Sequence, residues 1–206
     1  MSQLLIVGAG GHGKVVAEAA LASQRWREVT FLDGRFPELS RVADWLVIGS
    51  DRDAGAFLAK FSDCSIAIGD NRLRLEFLES MERAGFRMPV VTHPGGWVSP
   101  SAKVGVGSVV MAGAVVSAAA VVGRGCIINT GATVDHDCQI GDGVHVSPGA
   151  NIGGEVVVGA LTWIGIGASV RHCVSIGTNV TVGAGAAVVC DVADGVTVLG
   201  VPAKPL

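Results

Sequence analysis

The sequence predicts a small Rossmann-like α/β domain followed by a parallel β-helix built of hexapeptide repeats. Two observations carry that prediction. From Val98 onward every sixth residue is Val or Ile: Val104, Val110, Val116, Val122, Ile128, Val134, Ile140, Val146, Ile152, Val158, Ile164, Val170, Ile176, Val182 and Val188 follow without a break in phase. Ahead of that run, strand-like and helix-like stretches alternate over about 90 residues behind a glycine-rich turn, the pattern of a parallel sheet with helices on its faces. Composition agrees, since 30 Gly with 50% hydrophobic and 16% charged residues suit an aliphatic interior with tight corners.

Taken in order, Leu4 to Val7 is a buried strand and Gly8-Ala9-Gly10-Gly11-His12-Gly13 fits the G-x-G-x-x-G turn, with a helix over Val15 to Ala22. A second strand, Val29 to Leu32, ends at Asp33, 20 residues beyond Gly13. Backbone N–H groups in such a turn can cradle phosphate at a helix start while the acid binds a ribose or sugar hydroxyl; a tight turn that binds nothing is the alternative. Trp45 to Ile48 and Cys64 to Gly69 read as strands, Asp51 to Lys60 and Asn71 to Ala84 as helices, and Gly85 as a helix stop. Met88 to Val91 closes the unit, which spans residues 1–92. That length accommodates one mononucleotide-binding half, which argues against a dinucleotide-dependent dehydrogenase. His93 to Trp97 is a hinge.

The coil occupies 98–193 and the tail 194–206. Four residues after each aliphatic comes a small or short side chain such as Ala114, Cys126, Ala132 or Cys138, and eight of the positions just after the aliphatic are Gly. One β-branched and one small inward residue per six is the hexapeptide signature, and with three hexads to a lap about five laps stack. Residues 104–123 carry no charge and mimic a membrane span, but the repeat runs through them in phase and Gly is a poor helix former. A net charge of −3 with no Lys/Arg run offers nothing to nucleic acid or a membrane surface. Met1 to Val7 lacks the basic start and cleavage site of a leader, and five Cys without framework spacing fit a reducing cytoplasm.

The repeat also places chemistry. Residues 18 apart stack about 4.8 Å apart if laps pair like strands, so Gly154 lies over His136 and His172 over Gly154. A glycine above an imidazole leaves a notch with an accessible N–H, a base and an oxyanion donor of the kind acyl transfer requires; a solvated corner histidine is the equally open alternative. His172 reads as a surface residue. Asp137 can orient His136 only where a turn re-aims one of the two, because neighbours on a strand face opposite ways. The same alternation separates Cys138 from His136 and Asp137, so no metal site is expected. His145, nine residues on and stacked under Trp163, falls on another side of the prism about 15 Å away. It is either merely interfacial or part of one site with His136, and the latter needs two protomers about a threefold axis.

The segment NTGATVDHDCQIGDGVHVSPGANIGG (Asn129 to Gly154) and the tail GVPAK resemble hexapeptide-repeat acyltransferases. LLIVGAGGHGKVV, FLD, IAIGDN and HPGGWVSPSA resemble, more narrowly, the nucleotide-sugar N-acetyltransferases that act on 4-amino-4,6-dideoxy sugars, with sialic-acid O-acetyltransferase relatives. The likeness covers essentially the whole chain. It implies a left-handed coil, a homotrimer with active sites between subunits, acetyl-CoA as co-substrate and a nucleotide-linked amino sugar as acceptor. It implies His136 as general base, Asp137 as its support and Gly154 as the oxyanion N–H. His145 from a neighbouring subunit, with Ile166 and Ala184, would hold acetyl-CoA, and Asn129 matches an active-site Asn of the family. Gly10, Gly11, His12, Asp33 and Gly69 match the nucleotide-sugar pocket, whereas Gly34 stands where some relatives carry a second Asp. Direct transfer without an acyl-enzyme follows, since no Ser or Cys is paired to His136. Sugar O-acetylation on the same scaffold, or a non-catalytic oligomeric binding module, are the other classes.

Overall fold

The computed structural model describes residues 3–206, so what the sequence suggests for Met1 and Ser2 lies outside the described residues. The chain forms two compact units that divide between Pro94 and Gly95.

In the first unit three parallel strands lie in the order β2-β1-β5: β1 (Gln3–Val7), β2 (Glu28–Leu32) and β5 (Asp63–Ile66). Leu4 to Val7, Phe31, Leu32 and Ile66 are almost wholly buried, as expected for strands covered on both faces. Helix α1 (Gly11–Ala22) begins four residues earlier than the apolar pattern suggests, with Gly10 as its extended N-cap. A Cβ on Gly13 would come within 2.1 Å of the Gly8 carbonyl oxygen, so only glycine lets the helix start this close to the strand. Helix α2 (Asn71–Ala84) is capped by the Asp70 carboxylate on the Leu73 N–H and ends at Gly85 with φ 103°. Two expectations change. The helix expected from Asp51 to Lys60 is a 3-10 turn over Asp51–Phe57, opened by the Ser50 hydroxyl accepting from the Arg52 N–H. Trp45 to Ile48 yields only β4 (Trp45–Leu46), paired antiparallel with β3 (Arg41–Val42), before Val47 bridges Phe31.

The second unit is a parallel β-solenoid of three walls. Each rung is a two-residue strand whose first side chain faces out and whose second faces in, as in Asn151–Ile152 or Trp163–Ile164. Thr133–Val134 pairs Asn151–Ile152 on the first wall, Gln139–Ile140 pairs Val157–Val158 on the second, and His145–Val146 pairs Trp163–Ile164 on the third, each at an offset of 18 residues. Buried Val and Ile columns alternate with Ala, Cys, Val, Ser and Thr to fill the interior. Every fully buried Val or Ile contributes roughly 1.5–3 kcal/mol of gross transfer energy.

The uncharged run 104–123 is coil, and no helix among the described residues is long and apolar enough to cross a membrane. The coil also runs further than expected. After Val188 the chain takes a four-residue step, and Val192 bridges Ile176 at an offset of 16; Val198 then pairs Val182 at the same offset. Val192 therefore takes the place of an aliphatic rather than of a small residue. These two additions to the sixteen periodic positions complete six laps rather than five. Lys204–Pro205 then folds back antiparallel on Val198–Leu199, and the Ala187 N–H donates to the Gly200 carbonyl.

Most corners turn on one residue at positive φ. Where the third wall meets the first it is Gly113, Gly131, Gly149, Gly167 and Gly185; between the first and second walls it is Ala119, Asp137, Glu155 and Cys173.

Candidate active site

His136 and Asp137 lie at the corner between the first and second walls. Because Asp137 adopts φ 57°, the strand alternation is broken and both side chains point outward. The turn that the pairing requires is thus present. His136 Nδ1 stands 2.9 Å from Asp137 Oδ2, so Nδ1–H donates to the carboxylate and neutral His136 presents the Nε2 lone pair. The Asp137 hydrogen bond, followed by the charge of Asp135, raises the His136 pKa against the opposing effect of burial; the charges of Asp137 and Glu155 add to the rise.

Gly154 lies directly over the ring, where a Cβ would be 2.6 Å from both Cε1 and Nε2. Its N–H has no hydrogen-bond partner among the described residues. An imidazole lone pair and an unengaged N–H therefore meet at one notch, an arrangement that can serve acyl transfer. Cys138 turns inward, with its thiol donating to the Gly153 carbonyl at 3.1 Å, so it does not converge with His136 and Asp137 on an ion.

Beside this corner the first wall carries a groove of about 390 Å³ that mixes Ser117, Thr133, Asp135, Asn151 and Ser169 with apolar Val115, Ile152 and Val170. None of these is assigned to a site by its sequence motif. Their signal was the run of polar residues at the outward position of one wall, Thr133, Asn151 and Ser169, all 18 apart.

His145, Ile166 and Ala184 share a second groove on the third wall, about 460 Å³ and mostly apolar, with Ser147, Pro148 and Trp163. His145 is buried, its ring 4.8 Å from that of Trp163, whose indole N–H donates to Ser147. Asn129 fixes the tautomer. Its Oδ1 accepts from the Thr130 N–H, so its amide N–H donates to His145 Nε2, 3.1 Å away, leaving the proton on Nδ1. The third wall is opposite the corner that holds His136. One chain therefore does not bring the two histidines together.

In the first unit the glycine turn is held by Asp33. Its carboxylate accepts from the Ala9 N–H at 2.7 Å, the Arg35 N–H at 3.0 Å and the Arg35 guanidinium at 2.7 and 3.0 Å. These bonds, chiefly the guanidinium's, hold its pKa at about 2. The four acceptor positions of Asp33 are thus engaged within the chain, where the fingerprint had assigned the acid to a ribose or sugar hydroxyl. Gly10, Gly11 and Gly69 face open space. His12 is kept neutral, its pKa lowered to about 4 by burial and by the charge of Arg74. A Cβ on Gly34 would lie 3.4 Å from Asp51 Oδ2, so an acid absent at position 34 is present in the neighbouring turn.

Comparison with known proteins assigns both units to a family. The PglD N-terminal domain family matches residues 3–81, and the bacterial transferase hexapeptide (six repeats) matches residues 119–154. The chain is 39% identical over 114 residues to the UDP-N-acetylbacillosamine N-acetyltransferase of Bacillus subtilis (strain 168), a stretch covering 54% of this chain and 52% of that protein. The match spans about half the length of that curated relative. Over 100% of both chains it is 48% identical, with a TM-score of 0.96, to the acetyltransferase domain of PglB from Neisseria gonorrhoeae FA1090, also solved with acetyl coenzyme A. PerB from Caulobacter crescentus, solved with CoA and GDP-perosamine, is 38% identical with a TM-score of 0.95, covering 100% of this chain and 98% of its own.

Proposed function

The chain belongs to the hexapeptide-repeat sugar N-acetyltransferases, and from that membership we propose that it moves the acetyl group of acetyl-CoA onto the 4-amino group of a nucleotide-linked 4-amino-4,6-dideoxy sugar. The observation that carries this is the oriented imidazole of His136 beneath the free N–H of Gly154. The sugar amine attacks the thioester carbonyl, His136 Nε2 takes the proton the amine sheds, and the Gly154 N–H binds the oxygen as it gains charge. CoA leaves as the thiol and no acyl-enzyme forms.

Acetyl-CoA lies in the apolar groove of His145, Ile166 and Ala184, with Asn129 holding His145. Since His145 and His136 occupy opposite parts of one prism, a homotrimer places the groove of one subunit against the corner of the next. Gly10, Gly11, His12, Gly34 and Gly69 admit the nucleotide sugar, and Asp33 keeps their loop in shape through Ala9. The reaction takes place in the cytoplasm, where the five free cysteines stay reduced.

The test is a thiol-release assay with acetyl-CoA over UDP-, GDP- and dTDP-linked 4-amino-4,6-dideoxy sugars and their 4-hydroxyl counterparts. Turnover confined to an amino sugar is expected. Release only with hydroxyl sugars, or with none, would overturn the assignment.

A further inference from the structure

We propose that Cys138 is a positioning residue for acyl transfer: its buried thiol fixes the plane of the Gly153–Gly154 peptide so that the Gly154 N–H faces the reacting oxygen. This rests on the oxyanion role given to Gly154 above. Cys138 is fully buried, and its Sγ donates to the Gly153 carbonyl oxygen at 3.1 Å. A trans peptide sets its C=O and N–H antiparallel. Holding the carbonyl inward therefore turns the N–H outward, on the side where Gly154 abuts His136 Nε2. A hydrogen bond to the carbonyl also polarises the peptide and strengthens its N–H as a donor.

The peptide in question joins two glycines and has no side chain of its own to restrain it. Gly153 has no room for one, since a Cβ there would be 2.8 Å from the His172 nitrogen. Backbone bonds hold the flanking groups, the Gly153 N–H on the Val170 carbonyl and the Cys173 N–H on the Gly154 carbonyl. The bond on the Gly153 carbonyl itself is the thiol's, from below.

The coil uses the same device elsewhere, always onto the carbonyl fifteen residues on. Ser108 Oγ donates to Gly123 at 2.8 Å, Cys126 Sγ to Gly141 at 3.1 Å and Thr162 Oγ1 to Gly177 at 2.8 Å, all at the corner between the second and third walls. At the corner of His136 the inward small residues are Ala102, Ala120, Cys138, Val156 and Val174. Of these five only Cys138 has a hydrogen to donate, and it lies on the one lap whose next rung carries Gly154.

The experiment compares Cys138→Ser, Cys138→Val and Cys138→Ala in the whole protein, reading kcat and KM for both substrates beside thermal melts. Val, which the same column already holds at 156 and 174, fills the site without the donor, and Ser keeps a donor, as Ser108 does at its own corner. The expected result is a kcat lowered about tenfold in the Val and Ala forms with both KM values within about twofold, and a Ser form close to the wild type. Unchanged kcat in the Val form, or a Ser form as slow as the Val form, would overturn the role. His136→Ala run in parallel separates the two levels. If it retains activity, the assigned site itself is wrong; if it loses activity while Cys138→Val does not, only the thiol's part fails.

Discussion

Two corners of the coil make the same turn with different residues. Where the third wall returns to the first, glycine takes the left-handed conformation on five successive laps. Between the first and second walls Ala119, Asp137, Glu155 and Cys173 take it instead, at φ 56–58°. A side chain in that conformation costs about 1–2 kcal/mol. The fold needs only the turn, which glycine makes more easily. The corner that holds His136 carries side chains at all four of its left-handed positions, whereas the corner between the second and third walls carries them only at Leu161 and Asn179. Two of the four, Asp137 and Glu155, are carboxylates that raise the His136 pKa. Strain here accompanies chemistry.

The sharpest way to break this contrast is His136→Ala, which should lower the initial acetylation rate roughly 10²–10⁴-fold with an unchanged melting curve. Next comes a pair of glycine substitutions. Gly154→Ala drives a methyl into the imidazole and should slow turnover about 10²-fold by misplacing it. Gly149→Ala, which meets open space at φ 67°, should leave the rate alone and lower unfolding free energy by about 1 kcal/mol in urea titration.

Asp137→Asn should cost roughly tenfold, within the range for lost acid–base support. It has a second signature in the pH–rate profile. The carboxylate stabilises the imidazolium and raises its pKa, and the base works only when unprotonated. Removing the carboxylate therefore moves the acidic limb to lower pH. The smallest effect belongs to Ala119→Gly, expected to stabilise the coil by less than about 1 kcal/mol without changing the rate.

The periodic core was legible because an inward aliphatic column repeats with constant spacing, and that spacing alone set Gly154 over His136. A turn made by Asp137 was not, since nothing in a non-glycine residue announces positive φ. Reading in fixed phase likewise missed the two-residue contraction between Val188 and Val192, which exists only as a change of pairing offset. In the first unit the glycine fingerprint located the turn. The engagement of Asp33 with Arg35 and Ala9 depends on how the turn folds back on itself, which spacing does not encode. Cys138 looked like a small hydrophobe for the same reason: its partner is a carbonyl on the next rung.

The backfolded Lys204–Pro205 has a consequence for the molecule among its own copies. A stack of parallel rungs finishes in a row of unpaired N–H and C=O groups, a template on which another chain could polymerise. Here an antiparallel strand ending in proline lies on that row, and the Gly200 and Ala203 backbones bond to Ala187 on the adjoining side. The third wall thus ends on a covered row rather than an open one.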